Sequence, residues 1–116
     1  MNCLGAPLKI EFSDKKLRQL CEKQVVAVKK LGDICARKLQ ARLTDLEAAT
    51  CVTDIVAGRP HELQGERAGQ IALDLAGGYR LVFAPANDPI PLRDDLSIAW
   101  SCVTIISIEY IGDYHG

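Results

Sequence analysis

Residues 69–86, GQIALDLAGGYRLVFAPA, constrain the fold more than any other part of the chain. Ile71, Leu73 and Leu75 alternate with Gln70, Ala72 and Asp74. After Gly77 and Gly78, Tyr79, Leu81 and Phe83 alternate with Arg80 and Val82. A period of two puts each set of side chains on its own face of a strand. The Gly-Gly pair suits the positive φ angles of a tight turn. The spacing therefore predicts a β-hairpin with one apolar face, and such a face has to be covered by another layer.

Two amphipathic stretches upstream can supply that layer. DKKLRQLCEK reads as a short helix with Leu17, Leu20 and Cys21 on one side and Ser13 as its N-cap. In VVAVKKLGDICARKLQARLTDLEAA, Val28, Leu31, Cys35, Leu39, Leu43 and Leu46 recur at helical spacing. Lys29, Lys30, Asp33, Arg37 and Arg42 occupy the opposite face, either as a solvated surface or as a contact for an anionic partner. Gly32 inside this run costs about 1 kcal/mol relative to alanine, which makes it the place for a bend or a close approach.

The remaining segments complete one sheet. LKIEFS alternates Leu8, Ile10 and Phe12 with Lys9 and Glu11, as a strand with one buried face does. Thr53 is expected to cap one further helical turn that Gly58 and Pro60 end. Residues 85–99 are proline-rich and acidic and read as a loop, longer than most connections. SCVTIISIEY is nearly continuously apolar, as in a strand covered on both faces. The expected fold class is α+β, in the order β-α-α-β-β-β, with two N-terminal helices packed on a sheet. At 116 residues, 1–116 are expected to form a single domain.

Composition narrows the function classes. No apolar run approaches the length of a membrane span, and MNCLGAPLKIEF lacks the basic and apolar regions of a secretory leader, so a cytoplasmic location is expected. The five cysteines, Cys3, Cys21, Cys35, Cys51 and Cys102, are odd in number and widely spaced. They point to buried thiols rather than to disulfides or a zinc site. A cysteine nucleophile paired with a histidine has no local motif behind it. Residues 1–50 hold ten Lys/Arg against six Asp/Glu, while residues 51–116 hold four against nine. With a net charge of −1, the chain is not a free nucleic-acid binder, and any such contact is local or made beside a larger partner.

The chemistry-bearing residues fall in three places. Arg80 sits between apolar neighbours in the second hairpin strand, where it either pairs with Asp74 across the hairpin or presents a fork to phosphate. His61 lies in the loop before the hairpin, with Arg59 and Arg67 nearby, and is either merely exposed or part of a site. Asp113, Tyr114 and His115 follow the last strand, one residue from the end of the sequence. Two histidines and several arginines suffice for metal-free RNA cleavage. One group takes the 2′-OH proton, cations steady the charged phosphorane, and another group protonates the leaving oxygen. Tyr114 can stack on a base.

HELQGERAGQIALDLAGGYRLVF, the upstream KKLGDICARKLQARLTDLEAA and the terminal DYH resemble the RelE/ParE toxin superfamily, and within it the HigB-like plasmid-maintenance killer proteins. The likeness runs from about Leu8 to His115. It is carried by H-E-L-x-G-[DE]-R-x-G-Q, Y-R-L-[IV]-F and D-Y-H, in that order. It implies a curved, mainly antiparallel sheet in the same element order. It also implies the toxin of a type II toxin–antitoxin pair that cuts messenger RNA on the ribosome, blocking translation without metal or cofactor. Its partner would be a small helix-turn-helix antitoxin of the HigA kind, through which alone it would meet DNA. By the same resemblance His61, Arg80, Asp113, Tyr114 and His115 are catalytic or substrate-contacting, and Arg67, Gln64 and Arg59 belong to the substrate-binding segment. Gln64 and Ala68 stand where related toxins often carry basic residues, which implies weakened phosphate binding. Two alternatives follow: a ParE-like toxin acting on DNA gyrase without catalysis, or an attenuated homologue retained for partner binding.

Overall fold

The computed structural model describes residues 7–113. Five strands form one sheet in the order β1-β5-β4-β3-β2. They are β1 (Lys9–Phe12), β2 (His61–Glu62), β3 (Ile71–Asp74), β4 (Tyr79–Pro85) and β5 (Ile105–Asp113). β1 runs parallel to β5, and every other pairing is antiparallel. The predicted hairpin is present, with Asp74 opposite Arg80 and the turn made through Gly77 and Gly78 at positive φ.

Among the described residues, three α-helices precede the hairpin rather than two. They are α1 (Lys15–Glu22), α2 (Gln24–Leu31) and α3 (Asp33–Ala48). The long helical run breaks at Gly32, whose φ of 85° and ψ of 163° no helix accommodates. The apolar period continues across the break because both helices lie on the same core. α1 is capped by Asp14, not by Ser13: the Asp14 carboxylate accepts the Leu17 N–H at 2.8 Å. A carboxylate there meets both the unpaired N–H groups and the positive helix end. Thr53 likewise lies inside the 3-10 turn Val52–Asp54 instead of capping it.

The core lies between the helices and one face of the sheet. Leu17, Ala36, Leu39, Leu43 and Leu46 pack with Leu73, Leu81, Phe83, Ile106 and Ile108. Phe83 meets Trp100 edge to face, with ring centroids 6.2 Å apart. Two residues of the predicted helical faces behave otherwise. Val28 reaches solvent beyond the core. Arg42 is drawn inward, with a side chain only 16% exposed, 3.2 Å from the Asp45 carboxylate.

Residues 85–99 form an ordered excursion. The Asn87 side-chain oxygen accepts the N–H groups of Thr104 and Ile105, and Leu92 bridges to Ile98. β5 is not covered on both faces as its composition suggested. Ile106 and Ile108 are fully buried under the helices, while Ile105, Ser107 and Glu109 on the other side are half-exposed. Its pairing also slips. Phe83 lies opposite Ile108 and Val82 opposite Tyr110, so Glu109 is an extra residue forming a β-bulge. Past an extra residue the alternation inverts. Ile111 therefore joins the core, and Tyr110 turns to the opposite face.

Candidate functional site

The face of the sheet away from the helices carries the polar constellation. Residues paired across strands share a face. His61, Ala72, Val82 and Tyr110 thus form one row, and Asp74, Arg80 and Gly112 form the next. With strands about 4.8 Å apart, the first row spans roughly 14 Å from His61 to Tyr110. Its middle is lined by the small side chains of Ala72 and Val82, with Leu63 packed beside them.

Asp74 organises one end. Its carboxylate accepts from Arg59 Nε at 2.7 Å and from Arg80 Nε at 3.0 Å. The ion pair expected across the hairpin is therefore made, and Arg59 is a second arm of it. Partial burial pushes the Asp74 carboxyl up. The Arg59 hydrogen bond and charge outweigh this, with Arg80 and His61 adding to them, and hold the group below the usual range. The Asp74 hydrogen bond, then its charge, raises Arg59 further above its already high value. Arg80 also donates Nη1 to the Gly78 carbonyl at 3.2 Å, so its guanidinium is oriented by two acceptors. Its side chain is 23% exposed, whereas that of Arg59 is 71% exposed.

His61 is in β2, paired with Ala72, and not in a loop. Its Nδ1 lies 2.9 Å from the Arg59 carbonyl. A carbonyl only accepts, so Nδ1 carries the proton, and Nε2 is the nitrogen that accepts whenever the ring is neutral. A histidine so arranged can take a proton through Nε2.

Arg67 approaches from the other end. The 3-10 turn Gly65–Arg67 links β2 to β3 and carries the arginine out over the sheet. Its guanidinium carbon lies 4.7 Å from the centre of the Tyr110 ring, and Nη1 donates to Gln70 Oε1 at 3.1 Å. Gln64 is exposed just before that turn and makes no side-chain cap to it. Arg59, His61, Arg67 and Arg80 are thus brought to one face. Asp113 pairs with Tyr79, one step out of phase with Arg80, so alternation directs it to the other face. Tyr114 and His115 lie outside the described residues. The cysteine alternative finds no support at Cys21: burial, and then Glu22, push its thiol up to about 12, where it stays protonated.

Tyr110 was not among the residues expected here. Read without the bulge, it falls in phase with Ile106 and Ile108 and would belong to the core. One signal in the sequence does mark it: Gly112, two positions on, since a glycine inside a strand often marks a close approach.

No protein-family model matches the chain, and comparison with curated protein sequences finds no relative. Solved structures do match. A YoeB dimer from Staphylococcus aureus superposes with a TM-score of 0.57 at 17% identity, over 96% of this chain and all of that one. A YoeB–YefM complex from the same organism does so at 0.54, with the same identity and coverage. The fold is RelE-like. At that identity the likeness is one of fold.

Proposed function

We propose that this protein is the toxin of a type II toxin–antitoxin pair, and that it cuts messenger RNA on the ribosome. The reading is carried by one observation: three arginines and a histidine with a defined tautomer converge on the helix-free face of a RelE-like sheet. His61 Nε2 would take the proton of a ribose 2′-OH. The freed oxygen attacks the adjacent phosphorus, and Arg80 and Arg67 steady the charge on the phosphorane. The bond to the 5′ oxygen then breaks, and that oxygen receives a proton from the acid, for which His115 is the proposed donor. The products are a 2′,3′-cyclic phosphate and a 5′-hydroxyl, so the atoms balance without a metal or cofactor. Arg59 and Gln64 are proposed to line the substrate's path, Tyr114 to stack on its base and Asp113 to position its neighbours.

The sequence motifs support a HigB-like reading, and with it we propose a helix-turn-helix antitoxin of the HigA kind and a cytoplasmic site of action. The match to a solved YoeB–YefM complex supports the general idea of a protein partner. Inducing the wild-type gene should arrest growth and leave messengers with new 5′-hydroxyl ends. Arg80→Ala should relieve both. Equal toxicity of that variant, or arrest with intact messengers and blocked DNA supercoiling, would favour the gyrase-directed alternative instead.

One observation favours a second reading, an attenuated toxin retained for partner binding. Asp74 sets a carboxylate against two of the three arginines, beside positions where Gln64 and Ala68 add no charge. Gln64→Lys separates the two: a large gain of messenger cleavage identifies an attenuated site.

A further inference from the structure

We infer that Tyr110 is a positioning residue, which seats the Arg67 guanidinium for an RNA phosphate. This rests on the RNA-cleavage reading and adds to it a residue outside the motif set. Three features of the chain converge on the ring. The bulge at Glu109 sends Tyr110 out of the core and onto the site's face. There the ring packs against Leu63, Ala72 and Val82, so it rests on an apolar floor. The third is Gly112. A Cβ at that position would lie 2.7 Å from the Tyr110 hydroxyl oxygen and 2.9 Å from the carbon that bears it. The ring therefore leans along its own strand across a bare backbone, and the hydroxyl donates to the Asp113 carbonyl at 3.5 Å. The row that holds Gly112 also holds Arg80. The ring thus leans toward the row of Arg80, and the Arg67 guanidinium lies over it.

A guanidinium over an aromatic face keeps its N–H edge available for in-plane acceptors, because stacking uses the plane and not the edge. Gln70 already occupies part of that edge and fixes the rotation of the group. An arginine on the exposed turn that precedes β3 would otherwise lose several rotors' worth of freedom on binding an anion. The ring pre-pays that ordering. A residue acting this way alters binding of the substrate rather than proton transfer, so its signature lies in KM.

The test uses the full chain, a messenger cleaved on translating ribosomes, and a ribosome-free single-stranded oligoribonucleotide bound in an anisotropy titration. Tyr110→Leu keeps an apolar side chain on the same floor, and the loss of stacking should raise KM about five- to tenfold with kcat little changed. Tyr110→Phe retains the face and should restore KM to within about twofold. Arg67→Ala should weaken binding strongly on its own and add little in the Tyr110→Leu background. Gly112→Ala should reproduce Tyr110→Leu when the ring is present and be silent when it is absent. Equal behaviour of the Phe and Leu variants, or full additivity with Arg67→Ala, overturns the inference. If the wild type binds the oligoribonucleotide with this coupling yet cleaves nothing, the cleavage reading fails and the positioning role stands. If it neither binds nor cleaves, both fall.

Discussion

Asp74→Asn should move stability and RNA affinity in opposite directions. The Asp74 carboxylate accepts from Arg59 at 2.7 Å and from Arg80 at 3.0 Å. Asparagine has nearly the same shape and keeps one oxygen acceptor, but it carries no charge. The Arg59 arm is exposed and screened by solvent, so it contributes little. The Arg80 arm is more enclosed, and a hydrogen bond to a charged group of that kind contributes about 1.5–3 kcal/mol, part of which the amide oxygen retains. A net loss of about 1–2 kcal/mol follows, and at about 4 °C or more per kcal/mol for a chain of this size Tm should fall by roughly 4–10 °C. Arg80 still has the Gly78 carbonyl at 3.2 Å, so its guanidinium remains in the row with Gly112.

The same change raises the net charge of the face by one. In a fully solvated setting, at the dielectric of water, a unit charge about 4 Å from a phosphate contributes about 1 kcal/mol, or about a fivefold tighter complex. Screening should remove most of this gain between low salt and several hundred millimolar. Thermal denaturation and anisotropy with a short single-stranded RNA, each at two salt concentrations, give both quantities on one sample. A parallel fall in stability and affinity would refute the reasoning, because it would make Asp74 an organiser the arginines need and not a charge opposing the substrate. A gain in affinity that salt does not diminish would refute it too.

Three further outcomes follow from the structure. Phe83→Ala empties a fully buried position against Trp100 and should cost about 3–5 kcal/mol in a denaturant titration, with Trp100 fluorescence altered in the native state. Asp74 is held below the usual carboxylate range in the folded chain, so its contribution is present above the unfolded value and is lost as pH falls through the folded one. An acid titration should therefore destabilise the wild type more steeply below about pH 4 than it does Asp74→Asn. Lys29, Lys30 and Arg37 are exposed on the helices, Arg37 beside Asp33 at 3.2 Å. If this face touches ribosomal RNA, charge reversal at all three should reduce co-sedimentation with ribosomes, and unchanged co-sedimentation would remove that role.

The hairpin was legible because two local signals agreed, strict alternation on each arm and a glycine pair between them. The helical layer was legible from its apolar period, but its division was not. Gly32 marks the spot, and whether a glycine bends or ends a helix depends on how both halves meet the core. Two residues of strand carry too little pattern to distinguish His61 from loop in the sequence; pairing with β3 alone makes β2 a strand. The ion pair of Arg80 followed from hairpin register. The Arg59 arm did not, since it depends on the turn through Gly58, whose carbonyl accepts the Asp74 N–H at 2.6 Å. Helical phase alone puts Arg42 on the solvent face and cannot show that the turn at Gly58 lies against its side chain. β5 was read correctly as a strand and incorrectly as evenly covered. Nothing in SIEYIGD announces on its own that Glu109 stands outside the count.

That single uncounted residue makes β5 two rulers laid end to end with offset marks. Positions up to Ile108 are numbered by the hydrophobic interior, and positions from Tyr110 onward are numbered by the helix-free face of the sheet. A tail grafted from another protein must be measured from Glu109, because measuring from Ile105 would deliver every one of its side chains to the wrong side.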